Sequence, residues 1–409
     1  MDDQSKAFES SECFVKDLRM CHEQDETASD GLAPGPLSTD ASAAFPSELH
    51  DYTIDFLHND RASLCACSLV CKSWTASSQY HLFKNATIRV WGGNFSQFCE
   101  ELVSTHLNIY VGRLYLTCDC DGDWGVDEPR DWNAEFEAQL SRLKPLSCLE
   151  YLRLSYDNGN QSPSIPSAIG PNFSSIVDLE LTATWFASIA EIFQSCIGLP
   201  HLRRLALVST ERLEDEDASV PDLPMLDTFA VDALQNLEVI LRWLPSQPSI
   251  RRIAIGCLHS EDIHLLDIML RTLGPRLEHL IIEYSNDCVS DLSHVTALRT
   301  LEIVTFLSDG SFLNLPALLE KLPGHARALQ RIVFVLDNVK DWNQCLDWSH
   351  VGPILASLDS LQHVEFHVRP EERASQIIHE HLASRKYALR VQGLTDRLDH
   401  ECSLSKFDC

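Results

Sequence analysis

One spacing recurs through most of this chain: an apolar residue, a second three positions on, and a third two further. It occurs as Val111/Leu114/Leu116, Leu149/Leu152/Leu154, Ile176/Leu179/Leu181, Leu202/Leu205/Leu207 and Leu226/Phe229/Val231. It continues as Ile250/Ile253/Ile255, Leu277/Leu280/Ile282, Leu298/Leu301/Ile303, Leu329/Ile332/Phe334 and Leu361/Val364/Phe366. The closing two-residue step is the period of a strand with one buried face. Between copies, stretches such as 94–106, 233–245 and 262–274 carry helical spacing instead. Strand alternating with helix cannot bury its apolar side one unit at a time, so successive copies must stack, which predicts an α/β chain with parallel strands.

The ten copies follow one another at a mean step of about 28 residues, with individual steps from 21 to 38. That mean lies in the range of leucine-rich repeats, roughly 20–29 residues, whose strand signature this is. The expectation is a solenoid over 89–395, with the parallel sheet on its concave side and helices outside. The Asn or Cys of a regular repeat is replaced by Asp119, Asp157, Thr184, Thr210 and Leu234 in the first five copies. An irregular array is therefore expected, with loops after the first copy ("CDCDGDWGVDEPRDW") and after Leu154.

If the apolar positions face the helices, the alternate positions face outward. The first outward column reads Arg113, Tyr151, Asp178, Arg204, Thr228, Arg252, His279, Thr300, Arg331, His363. Four Arg and two His against one Asp is a basic skew in a chain of net charge −28. Arg113, Tyr151, Arg204, Arg252, His279 and Arg331 are the candidate target-binding residues, with Arg forks suited to an acidic or phosphorylated segment. The opposing reading is that these Arg residues pair with carboxylates such as Asp178, Glu180 and Glu302. The second column, Tyr115 to Glu365, is expected to face outward as well.

Ahead of the array, residues 1–44 hold ten carboxylates against Lys6, Lys16 and Arg19 and read as a disordered acidic tail. The segment 45–88 is different: short and rich in large apolar residues. Pro46 suits a helix start with Glu48 in its first turn. Leu49, Tyr52, Ile54, Phe56 and Leu57 then fill one broad side. Asn59 or Asp60 caps a second helix with Leu64, Cys67, Leu69, Val70 and Cys71, and a third starts near Lys72 and carries Trp74 and Tyr80. Three helices in about forty residues bury too little surface to be comfortable alone, so a partner is implied.

Phe45-Pro46-x-Glu48-Leu49, Ile54, Leu57, the run "SLVCKSW" and the closing "YHLF" resemble an F-box, most closely the fungal F-box proteins of mushroom-forming species. Phe45 departs from the Leu usual in that family. The resemblance implies that the helices dock on a Skp-type adaptor and, through it, on a cullin–RING ubiquitin ligase. Pro46, Leu49, Ile54, Leu57, Leu64, Leu69, Val70 and Trp74 are the implied adaptor contacts. Its alternative is a small helical cap on the first repeat, since end repeats need capping.

The remaining motifs exclude more than they suggest. No run of Lys and Arg exceeds two residues, so a phosphate-backbone binder is not expected. No apolar run approaches the ~20 residues of a membrane span. The first residues lack the basic and apolar regions of a secretory signal. Fifteen cysteines then read as reduced thiols in the cytoplasm or nucleus. Asp119, Asp121 and Asp123 imitate a calcium loop, but Trp124 and Arg130 stand where Gly and Glu are needed. Cys65, Cys67 and Cys71 lack paired zinc knuckles, and His379 and His381 are spaced wrongly for one helix face. No catalytic motif, metal site or cofactor is expected, and residues 396–409 read as a tail. The expected function is a non-catalytic receptor subunit, or else a scaffold without ubiquitin transfer.

Overall fold

The computed structural model describes residues 47–89, 96–97, 99–100, 102, 106–119, 138, 146–157, 169–182, 189–208, 223, 226–232, 237–256, 258–283, 290–305, 314–322, 328–336, 346–368, 371–382 and 386–393. The acidic tail, Pro46, most of both long loops and the C-terminal tail lie outside them. The chain forms two compact units, residues 1–179 with 195–201, and residues 180–194 with 202–409.

Among the described residues, the first unit begins with three helices, α1 (Ser47–Phe56), α2 (Arg61–Ser68) and α3 (Lys72–Phe83). Strands β1 (Asn85–Arg89), β2 (Arg113–Asp119) and β3 (Tyr151–Asp157) follow, then the single turn α4 (Ile169–Asn172). Strand β4 (Asp178–Thr182) and helix α5 (Ile189–Ile197) cross the boundary between units. The second unit continues with β5 (Arg204–Val208), β6 (Thr228–Asp232), α6 (Leu237–Trp243), β7 (Arg252–Ile255), α7 (Ile263–Leu273) and β8 (His279–Glu283). It closes with β9 (Thr300–Thr305), α8 (Leu315–Glu320), β10 (Arg331–Leu336), α9 (Trp348–Ser357), β11 (His363–Val368), α10 (Glu371–Leu382) and β12 (Ala388–Gly393). In the first unit β1, β2 and β3 pair in parallel in sequence order, and in the second β5 to β12 do the same.

All ten apolar triplets are where the spacing predicts. The first member precedes its strand, the other two lie within it, and none is more than 4% exposed. In the second unit, Trp243 of α6 lies 5.6 Å from Phe229 of β6, and Trp348 of α9 lies 6.2 Å from Phe366 of β11. These rings fix the triplet face as the face that meets the helices. Burying each such side chain contributes about 1.5–3 kcal/mol before chain entropy is charged against it.

Two strands were not anticipated. β1 lies inside the segment read as helical, and its Ala86 and Ile88 align with Leu114 and Leu116 of β2. With Phe83 they make an eleventh triplet, whose first member is also the last residue of α3. β12 aligns Leu389 and Val391 with Val364 and Phe366, but Lys386 stands where the first apolar residue would be.

The second column corrects the expectation. Ala206, Ala230, Ala254, Ile281 and Val333 are at most 2% exposed and form one apolar cluster with Val304 and Val335. Their face is opposite to the triplet face, so much of this sheet is buried on both sides, as parallel sheets generally are. Glu365 in the same column is buried too.

Close packing also constrains the connection after α7. A Cβ on Gly274 would stand 2.5 Å from the carbonyl oxygen of His294, so only glycine lets the two backbones approach.

Among the described residues, no helix is long and apolar enough to cross a membrane, and no group of three or more His, Cys, Asp or Glu could hold a metal ion.

Candidate docking surface on the three-helix block

Helix α1 turns one side toward α3. Ile54 on that side is fully buried, and the His50 ring meets Trp74 edge-on at 5.7 Å. Ser77 donates to Asp51, and His81 Nε2 lies 2.7 Å from Asp55 Oδ1. Asp60 caps α2 through its side chain, accepting from Ser63 N at 3.1 Å and from Ser63 Oγ at 2.6 Å. Those two bonds hold the Asp60 carboxyl below the usual carboxylate range. Of the two capping residues the sequence offered, Asn59 and Asp60, the structure uses Asp60.

The chain leaves α2 in a tight turn. Leu69 N donates to Ala66 O and Val70 N to Cys67 O, both at 3.1 Å, and Thr75 Oγ1 of α3 reaches Ser68 O at 2.8 Å. With its backbone bonded in this way, the turn holds Leu69 and Val70 outward at 60% and 64% exposure. Leu49, Tyr52 and Phe56 are exposed as well, at 45%, 60% and 69%. Six of the nine exposed large apolar side chains of the described residues lie in α1, the α2–α3 turn or α3, Tyr80 being the sixth. Exposed large apolar side chains concentrated in so short a stretch make this block the candidate docking surface.

The eight residues implied by resemblance thus divide. Leu49, Leu69 and Val70 form surface. Leu57 and Trp74 are half-buried. Ile54 and Leu64, at 0% and 1% exposure, belong to the block's own core and support that surface without forming it, which corrects their assignment as contacts. Pro46 lies outside the described residues. Tyr52 and Phe56, whose rings meet edge-on at 4.8 Å, were missed as surface residues. Their spacing of three and seven from Leu49 on one helix was the available signal.

Cys71 is the N-cap of α3, exposed, with Sγ 3.0 Å from Ser73 Oγ. That hydrogen bond, with backbone N–H groups of the first turn, lowers its thiol pKa.

The basic column is less available than its composition suggests. In the first unit, the Arg113 guanidinium lies 5.7 Å from the centre of the Tyr151 ring, and the two residues are register partners. In the second unit, the register places Arg204, Thr228, Arg252, His279, Thr300, Arg331 and His363 side by side on successive strands. Arg331 is held by Glu365 through a fork of 3.0 and 2.8 Å. Burial pushes the Glu365 carboxyl up, but the Arg331 bond and charge outweigh it and leave the group below its ordinary range. His279 is pushed down to about 4, by burial first and then by the charges of Arg252 and Arg331. It is neutral at pH 7. Arg252 is exposed.

One position earlier in the chain, Arg203, Asp227, Arg251, Glu278 and Arg299 are adjacent through backbone bonds of 2.8–2.9 Å. Their charges alternate along the row, and Arg299 lies 3.8 Å from Glu278. Arg299 with Glu278 and Arg331 with Glu365 are thus cross-strand pairs of this unit.

Comparison with known proteins gives no family. No family model matches, and no curated protein matches. Among solved structures, the yeast Rad7–Elc1 complex includes a chain similar at 13% identity and TM-score 0.39, over 94% of this chain and 93% of that one. A protein of Bacteroides fragilis is similar at 10% identity and TM-score 0.31, over 72% of this chain and 68% of that one. Neither likeness is deep enough to carry a functional argument.

Proposed function

We propose that this chain is a substrate-recognition subunit of a cullin–RING ubiquitin ligase, of the F-box type. Its three-helix block docks a Skp-type adaptor through Leu49, Leu69 and Val70, with Leu57 and Trp74 at the margin. The repeat array then presents a target protein, and the chain positions that target without performing chemistry. Holding target and loaded ubiquitin carrier together converts a two-body encounter into a local one. The observation that carries the reading is the outward exposure of Leu69 and Val70, within the very run, "SLVCKSW", that resembles the F-box. Apolar side chains held in water in this way gain stability when a partner covers them.

On the array, Arg252 beside His279 is the best-placed part of the basic column for an acidic target segment, because Arg331 already holds Glu365. The alternative function is a scaffold that binds partners without ubiquitin transfer. Reconstitution separates them. The purified chain mixed with adaptor, cullin and RING subunit should elute as one complex on size exclusion. Elution apart from a preformed adaptor–cullin assembly sinks the ligase reading and leaves the scaffold.

A further inference from the structure

Helix α1 is apolar on two sides. At about 100° per residue, Ile54 and His50 share the side turned to α3, while Leu49, Tyr52 and Phe56 fall together on the opposite side. All three are exposed, and no described element covers them. Glu48 and Asp55 border this outward stripe on one side; Asp55 meets His81 of α3 through Oδ1 at 2.7 Å, and its side chain is 61% exposed. An occupant matching this face needs an apolar stripe with positive charge along one border.

The chain itself carries such a stretch. Within the acidic residues 1–44, the segment 13–22 reads "CFVKDLRMCH". Phe14, Leu18 and Cys21 stand at i, i+4 and i+7, with Val15 beside them and Arg19 and His22 bordering. Two of the three Lys and Arg residues of 1–44 lie in this stretch, Lys16 and Arg19. The 24 residues between it and α1 reach up to about 80 Å when extended, against about 15 Å for the whole of α1. The segment can therefore return to the helix in either direction.

We propose that residues 13–22 seat on the outward side of α1, with Phe14, Leu18 and Cys21 against Leu49, Tyr52 and Phe56, and Arg19 beside Glu48 and Asp55. The segment is then an internal competitor for part of the docking surface. A partner that needs Leu49 must displace it, and a segment seated in nine molecules of ten lowers the apparent affinity of that partner about tenfold. The competition rests on the adaptor reading; the contact does not.

The test uses the full chain and amide hydrogen exchange over residues 47–57, comparing wild type with Phe14→Asp/Leu18→Asp. A control, Ser10→Asp/Ser11→Asp, adds the same charge off the stripe. Exchange over α1 should quicken about tenfold in the first variant and not in the control, and adaptor should bind the first variant about tenfold more tightly. A second variant, Arg19→Glu, should also quicken exchange, and Glu48→Arg added to it should restore protection. Unchanged exchange in Phe14→Asp/Leu18→Asp, or equal quickening in the control, overturns the proposal whatever the adaptor does. Quickened exchange with no adaptor binding in any form supports the contact and removes the adaptor reading instead.

Discussion

Ile54→Ala and Leu69→Ala remove apolar atoms from neighbouring parts of one small block, yet they should act very differently. Ile54 has no exposed surface, so truncating it removes buried atoms and opens a cavity, a loss of about 2–5 kcal/mol. Leu69 is already 60% exposed, so at most two-fifths of its ~2 kcal/mol burial gain is at stake, under ~1 kcal/mol. A chain of two units need not unfold in one step, so the assay should read the block alone. Amide hydrogen exchange over residues 47–83 does this, since local opening is governed by local stability. A loss of 2 kcal/mol raises exchange about 30-fold. Ile54→Ala should reach or pass that figure, while Leu69→Ala stays below about fivefold. Equal effects would refute the division into core and surface on which the docking assignment depends.

Gly274→Ala should destabilise the second unit by more than ~1 kcal/mol in urea unfolding, because the added methyl meets the His294 carbonyl. Glu365 has a folded pKa below its ordinary value, so its contribution is present above the unfolded pKa near 4.5 and is lost as pH falls through the folded value. Glu365→Gln should therefore lower stability at neutral pH and flatten the acid side of the stability curve. For His279 the unfolded chain takes up a proton near 6.5 and the folded chain only near 4, so stability should decline as pH falls between those values. His279→Gln should remove that decline; an unchanged pH profile would contradict the burial of the imidazole. Cys71, exposed with a lowered thiol pKa, should react with iodoacetamide while Cys196, buried and pushed up to about 12, stays unmodified.

The strand triplets were legible because a three-position apolar pattern states both the period and the buried face. β1 escaped because Phe83 serves two elements, ending α3 and opening the first triplet, and because Ala86 is a weak apolar signal. β12 escaped because Lys386 breaks the pattern at its first position. The helical reading over 233–245 ends at Trp243 because Pro245 supports a 3₁₀ turn at Leu244–Ser246. Burial of the second column was not legible: alanines at 206, 230 and 254 say that space is short there, but only the strand register shows that they form one strip. The same holds for the fork between Arg331 and Glu365, 34 residues apart in sequence. In the docking block the three helices were readable from local chemistry and the cap of α2 was narrowed to Asn59 or Asp60, but Leu69, Val70 and Cys71, read as part of the second helix, lie beyond its end at Ser68. Which apolar residues faced water was not readable, because that depends on how α1 and the α2–α3 turn pack on α3.

The central claim is that Leu69 and Val70 are kept outward to meet an adaptor. Its most direct test is calorimetric titration of a purified Skp-type adaptor into the full chain, wild type against Leu69→Ala/Val70→Ala. Circular dichroism should first show that both proteins share one fold. At about 1–2 kcal/mol for each anchor lost, affinity should fall ~30-fold or more while stability barely moves. Equal affinity in the two proteins, or no binding by the wild type, contradicts the account.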